Sequence, residues 1–162
     1  MLSLFLLVLV VALDQLTKIW VVNGFQLYEI REIIPGLFNL TYLTNKGAAF
    51  GFLAGVTADW RHYFFLGLVA VALVLLSVFY VRLRKEHPFY GPALALIAGG
   101  AIGNAIDRIR LGAVVDFLDF YVAGHHWPAF NVADSAITVG VAIFLVANIL
   151  EERQKKRAAA GS

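Results

Sequence analysis

Residues 63–81 read YFFLGLVAVALVLLSVFYV, a run without a single charged side chain. Coiled as a helix it would extend ~29 Å, which matches the hydrocarbon thickness of a bilayer. The chain around it has 162 residues, of which 60% are hydrophobic and only 15% charged. A chain this short has too much surface for its volume to hide so many apolar side chains in its own core. Lipid must cover the remainder, so the run is read as a membrane span.

Three further segments have the length and character of spans, at about 2–22, 90–109 and 133–150. The first is interrupted by Asp14 and Lys18. It lacks a basic start and an obvious small-residue cleavage site, so it is read as a retained span and not a cleaved leader. The third is rich in small residues, and Gly99, Gly100 and Gly103 suit close packing against a neighbouring helix. The expected architecture is therefore an all-α membrane protein, a four-transmembrane-helix bundle forming one domain over residues 1–152. A basic tail at 153–162 follows, ending in a flexible AAAGS.

Basic residues orient the bundle. Arg82, Arg84 and Lys85 lie between spans two and three, and Arg153, Lys155, Lys156 and Arg157 follow span four. Four spans place both groups on one side, which is expected to be cytoplasmic together with both termini. Loops 23–62 and 110–132 then lie on the outer face. Residues 37–43 alternate with β-formers and predict a short strand, and 114–121 predict another extended piece. Residues 47–52, GAAFGF, suit an interfacial or re-entrant position, and Trp60 and Trp127 suit a membrane–water boundary.

A net charge of +2, without a basic stripe interleaved with aromatics, argues against nucleic acid. Cysteine is absent, which removes disulfides, thiolate nucleophiles and Cys-type zinc sites. His125 and His126 are adjacent, a poor geometry for two ligands of one metal, so neither metal nor cofactor is expected.

Charges inside spans are costly and need a partner or a purpose. Asp14 lies ~20 Å along the first span. Asn104 sits at a similar depth in the third, with Asp107 and Arg108 one turn further out. Asn131 and Asp134 open the fourth span from the outer side, and Asp116 follows the third. Separate segments thus deliver polar groups to one level of the bilayer. Each has a plainer reading as well. Asp14 and Lys18 are spaced as an i,i+4 helix ion pair, and Asn131 and Asp134 as an N-cap with an N3 acid. Asp107 and Arg108 can neutralise each other, while Glu29, Glu32, Asp59 and Asp119 read as solvated loop acids.

Two carboxyls held close cannot both stay ionised, so they share a proton at neutral pH. The ionised member then takes a proton from attacking water while the other protonates the carbonyl oxygen, which suffices to hydrolyse a peptide bond. Asp116 and Asp134, at the outer ends of adjoining segments, are the natural pair. Asn45, Asn104 and Asn131 can bind peptide backbone without competing for protons. Ser135 and Thr138 offer hydroxyl nucleophiles, but no base is evident near them.

The blocks DQLTK (14–18), NKGAAF (45–50), GGAIGNAIDR (99–108), VVDF (114–117) and FNVADS (130–135) resemble, in that order, the bacterial lipoprotein signal peptidases, signal peptidase II. The resemblance runs from about residue 5 to 150. It implies an aspartyl endopeptidase of the bacterial inner membrane. Its substrates would be prolipoproteins bearing a diacylglyceryl cysteine, cut immediately before that residue. By motif match the catalytic pair falls on Asp116 and Asp134, while Asp14, Asn45, Asn104, Arg108 and Asn131 hold substrate or order the site. Asp107 matches with a structural role. The family pattern also implies a small extracytoplasmic β-cradle and an interfacial helix within 23–62, a monomer surrounded by membrane lipid, and inhibition by globomycin. Thr44 departs from the pattern, since many relatives carry a basic residue before the asparagine. Two other readings remain: a proton-coupled transporter or channel subunit, although the halves 1–81 and 88–152 show no repeat, and a non-enzymatic assembly subunit.

Overall fold

The computed structural model describes residues 1–47 and 60–160. Over these the chain forms α1 (Leu2–Gly24), β1 (Ile30–Ile34), β2 (Phe38–Asn45), α2 (Trp60–Leu83), α3 (Tyr90–Leu111), β3 (Val114–Val122), β4 (His125–His126) and α4 (Val132–Ala160). The GAAFGF motif beyond Gly47, Asp59 and the interfacial helix expected in loop 23–62 lie wholly or partly outside the described residues.

Among the described residues three helical segments are long and apolar enough to cross a membrane: Leu2–Gly24, His62–Leu83 and Val132–Arg157. Only 6% of the apolar window of α2 is buried inside the protein, so most of its Val, Leu and Phe side chains project outward, Phe65 excepted. A soluble protein would not tolerate such a face, whereas hydrocarbon makes it favourable. The helix α3 differs. It has the length of a span, but its glycines, Asn104 and Asp107 are buried, and it packs against α1, α2 and α4 as the central element.

Close approach to α3 depends on having no side chain at particular positions. A Cβ on Gly99 would press on Val10 and the Leu7 carbonyl of α1. One on Gly100 would overlap the Ala133 carbonyl of α4, and one on Gly103 would overlap the Asp14 carboxylate. The small residues of α3 therefore draw α1 and α4 inward at the level where the polar side chains lie.

The helix α4 continues to Ala160, straight through the segment expected to be a tail. Glu151–Lys155 and Glu152–Lys156 ion pairs at i,i+4 support this extension. The sheet is antiparallel in the order β1-β2-β3-β4. The expected strands at 37–43 and 114–121 correspond to β2 and β3. β1 and β4 were not anticipated, because all their residues are exposed and neither strand alternates. Val21 and Phe25 at the end of α1 pack with Val115 and Phe117 of β3, joining sheet to bundle. Asp119 is no solvated acid: it is buried in β3, accepts from Asn39 at 2.9 Å and pairs with His126 at 2.8 Å.

Gly100→Ala is expected to lower the stability of the detergent-solubilised protein by about 1–3 kcal/mol, because the added methyl meets backbone and not a yielding side chain. Gly67→Ala on open α2 is the matched control and should be neutral or slightly stabilising. Thermal unfolding of the two variants side by side checks this.

Candidate active site

Between α3 and the sheet the chain makes one turn that fixes the position of Asp116. Gly112 ends α3 with φ +70, and its N–H bonds the Arg108 carbonyl. That left-handed conformation is open to glycine at little steric cost. Three residues later β3 is under way, and the Asp107 carboxylate accepts the Val115 N–H at 3.1 Å. Asp116 follows, 4% exposed. The pairings Leu40↔Leu118 and Leu43↔Asp116 show that β2 carries an extra residue opposite this point. Such a bulge bends the strand and re-aims side chains. Asn45, at the end of β2, comes to lie on the same cavity as Asp116.

Asp134 comes from the start of α4. Its backbone N–H bonds Asn131 Oδ1 at 2.9 Å, and its own Oδ2 accepts the Asn131 N–H at 3.3 Å. This is the reciprocal capping arrangement that the spacing allowed. It coexists with a role in the cluster, because the same Asn131 donates from Nδ2 to Asp116 Oδ1 at 2.7 Å. Asn104 Nδ2 donates to Asp134 Oδ1 at 2.8 Å. The two carboxylates are thus framed by shared asparagines and open into one cavity of about 1050 Å³, also lined by Arg108, Trp127 and Phe130.

Burial, followed by the neighbouring charge of Asp134, pushes the Asp116 carboxyl up to about 7, while donation from Asn131 and Asn45 opposes the rise. Near neutrality this carboxyl can hold a proton. The hydroxyls of Ser135 and Thr138 are spent on the Asn131 and Asp134 carbonyls, each at 2.9 Å. That weakens the case for a hydroxyl nucleophile.

Behind the pair lies a second polar layer. Asp14 Oδ1 accepts the Ala133 N–H at 2.9 Å, and its Oδ2 pairs with Lys18 at 2.9 Å. Lys18 also reaches Asp107 at 2.9 Å. The ion pair of Asp107 is thus with Lys18, and not with Arg108 as the plainer reading had it. Arg108 instead donates to the Gly47 carbonyl at 3.1 Å and stands over the Phe65 ring at 5.2 Å. Asp14, Asn45, Asn104, Arg108, Asn131, Asp116 and Asp134, all expected from the sequence, come together here. Lys18 and Gln15 were missed as members. Gln15 Nε2 lies 3.1 Å from both the Gly103 carbonyl and Asp107 Oδ1. The signal for Lys18 was its depth within an apolar run, where a local i,i+4 pairing with Asp14 was an incomplete account.

A lipid-facing helical bundle with a carboxylate-lined cavity at one end defines a class of membrane-embedded enzyme, and comparison with known proteins narrows it. The family described as signal peptidase (SPase) II matches residues 6–150. A lipoprotein signal peptidase of Geobacter sulfurreducens is 52% identical over 143 residues, covering 88% of each chain. That of Geobacter metallireducens is 48% identical over 145 residues, covering 90% of this chain and 88% of its own. A bacterial membrane enzyme solved by the in meso method at 2.3 Å resolution superimposes with a TM-score of 0.85 at 35% identity, covering 94% of this chain and 90% of that one. The chain belongs to the signal peptidase II family. This makes it a protease, and the transporter reading finds no support.

Asn131→Ala removes both the helix cap and the 2.7 Å bond to Asp116. It should cost about 1 kcal/mol of stability and move the Asp116 titration further up, since a donor to the charged form is lost. Carboxyl-carbon NMR of labelled aspartate reads the shift directly; an unchanged or lowered titration point contradicts the assignment.

Proposed function

We propose that Asp116 and Asp134 are the catalytic pair with which this signal peptidase removes signal peptides from prolipoproteins. The observation that carries the proposal is that both carboxylates open into one cavity and are braced by Asn131 and Asn104. Asp134 accepts hydrogen bonds on both oxygens, as an ionised carboxylate does. Asp116 holds the proton.

In the reaction, Asp134 takes a proton from water as the water oxygen attacks the scissile carbonyl carbon. Asp116 gives its proton to the carbonyl oxygen, and a neutral gem-diol results. Asp134 then passes its proton to the amide nitrogen while Asp116 recovers one from a diol hydroxyl, and the C–N bond breaks. Both carboxyls end as they began. Arg108 and Asn45, which line the cavity, hold substrate backbone, and Asp14 orders the site from behind.

The substrate follows from the setting. Its signal helix is apolar and its cysteine carries diacylglycerol, so the acyl chains can stay in lipid while the peptide enters the cavity. Cleavage falls immediately before that cysteine. In this reading α3 is also a span, which makes four, the protein is a monomer in the bacterial inner membrane with both termini cytoplasmic, and the cavity faces the outer leaflet. The sheet cradles the substrate there, and globomycin blocks the site.

Asp116→Asn and Asp134→Asn should each lower cleavage of a diacylated prolipoprotein in detergent by about 10²–10⁴-fold. Full activity in either variant sinks the pair. The pH profile gives an independent check. Below about 7 Asp116 is protonated and competent as the acid. Above that value Asp116 has lost the proton it must donate, so kcat/KM should fall about tenfold per pH unit. A rate that climbs through pH 7–9 contradicts Asp116 as the proton carrier.

A further inference from the structure

Lys18 is 3% exposed, and its ammonium has three donors and no acceptor. Each donor has a partner: Asp14 Oδ2 and Asp107 Oδ2 at 2.9 Å, and Asn104 Oδ1 at 2.9 Å. What these partners do next is informative. Asp14 accepts the N–H of Ala133, the residue before Asp134. Asp107 accepts the N–H of Val115, the residue before Asp116. Asn104 donates to the Asp134 carboxylate itself.

The third contact also removes an ambiguity of the asparagine amide. Its two ends have nearly the same shape, so steric fit alone does not choose between them. A half-turn of Asn104 would set its N–H₂ against the ammonium and its oxygen against the Asp134 carboxylate, two repulsive contacts in a buried place. Lys18, with the longer 3.3 Å bond from Asn131 Nδ2 on the same oxygen, therefore turns Asn104 to present N–H to Asp134. The other two asparagines are fixed in the same sense by other donors: Asn131 Oδ1 by the Asp134 N–H, and Asn45 Oδ1 by the Gly47 N–H at 3.0 Å.

We infer that Lys18 is a positioning residue for the reaction, whose three hydrogen bonds set the backbone before each catalytic aspartate and the orientation of the Asn104 amide. The inference rests on the assignment of Asp116 and Asp134 as the pair. Lys18 bonds neither carboxyl of the pair and lies outside the cavity lining. Its effect is accordingly on the transition state, where misplacement by about 1 Å can cost 10²-fold, and not on substrate capture.

The simple variant Lys18→Met strands two buried carboxylates and can fail to fold. The charge-balanced variant Lys18→Met/Asp107→Asn removes one charge of each sign, a change that buried ion pairs often tolerate. Lys18→Gln keeps a neutral donor. For each, kcat and KM on a diacylated prolipoprotein are measured per folded molecule, with folding judged by circular dichroism and thermal midpoint. The expected result is that at least one of the balanced and Gln variants folds with a midpoint near wild type. In that variant kcat should fall about 100-fold while KM stays within about threefold. A folded variant with wild-type kcat overturns the inference. So does failure of every variant to fold, which would make Lys18 purely structural. Loss of activity at Asp116→Asn and Asp134→Asn, together with wild-type kcat at Lys18, would leave the catalytic pair standing and remove only this inference.

Discussion

One ammonium group organises the polar interior of this protein. Removing Lys18 from water costs several kcal/mol, even after relaxation, unless close partners offset the loss. Its partners come from two helices, Asp14 from α1 and both Asp107 and Asn104 from α3. Neither carboxylate can move away without losing its charged partner, and without Asn104 one ammonium donor loses its acceptor. The ion cluster therefore fixes the register of α1 against α3. Through the backbone bonds that the two carboxylates accept, it also fixes the starts of β3 and α4. Among the described residues no buried side-chain nitrogen or oxygen lacks a partner, which is the condition under which such a network rigidifies and does not weaken a structure.

The rest of the architecture follows from where this cluster can be tolerated. The small residues of α3 bring the neighbouring helices close enough for short side chains to meet, while the outward faces of α1, α2 and α4 remain apolar. The sheet then supplies what helices alone lack, an edge that carries Asp116 across the end of the bundle. Gly112 turns the chain, the bulge in β2 re-aims it, and Asn45 arrives beside the carboxyl. The site is thus built at the junction between a lipid-matched scaffold and a polar sheet.

Much of this was legible in the sequence, for reasons that differ between elements. Spans announce themselves by composition over about twenty residues, a local property that packing does not alter. β2 showed because its chain alternates, as its partial burial does, and β3 because 114–121 is rich in β-formers over a mostly buried stretch. IREII, the sequence of β1, carries no such mark because every residue in it is exposed. The site residues stood out because a carboxylate or amide inside a span needs a reason. Their pairing did not: Lys18 read as a partner of Asp14, four residues away, and its bond to Asn104 spans 86 positions. Asp119 was misread for the same reason, since its partner Asn39 lies 80 residues distant. Long-range partners leave no periodicity to read.

The central claim is that two carboxyls at one cavity share a single proton at neutral pH, with Asp116 holding it. Infrared difference spectroscopy on the protein labelled with ¹³C-carboxyl aspartate tests this most directly. The account predicts one protonated, weakly hydrated carboxyl band at pH 6 that titrates away near pH 7 and is absent in Asp116→Asn. A wild-type protein with no such band, or a band that persists in Asp116→Asn, would contradict it.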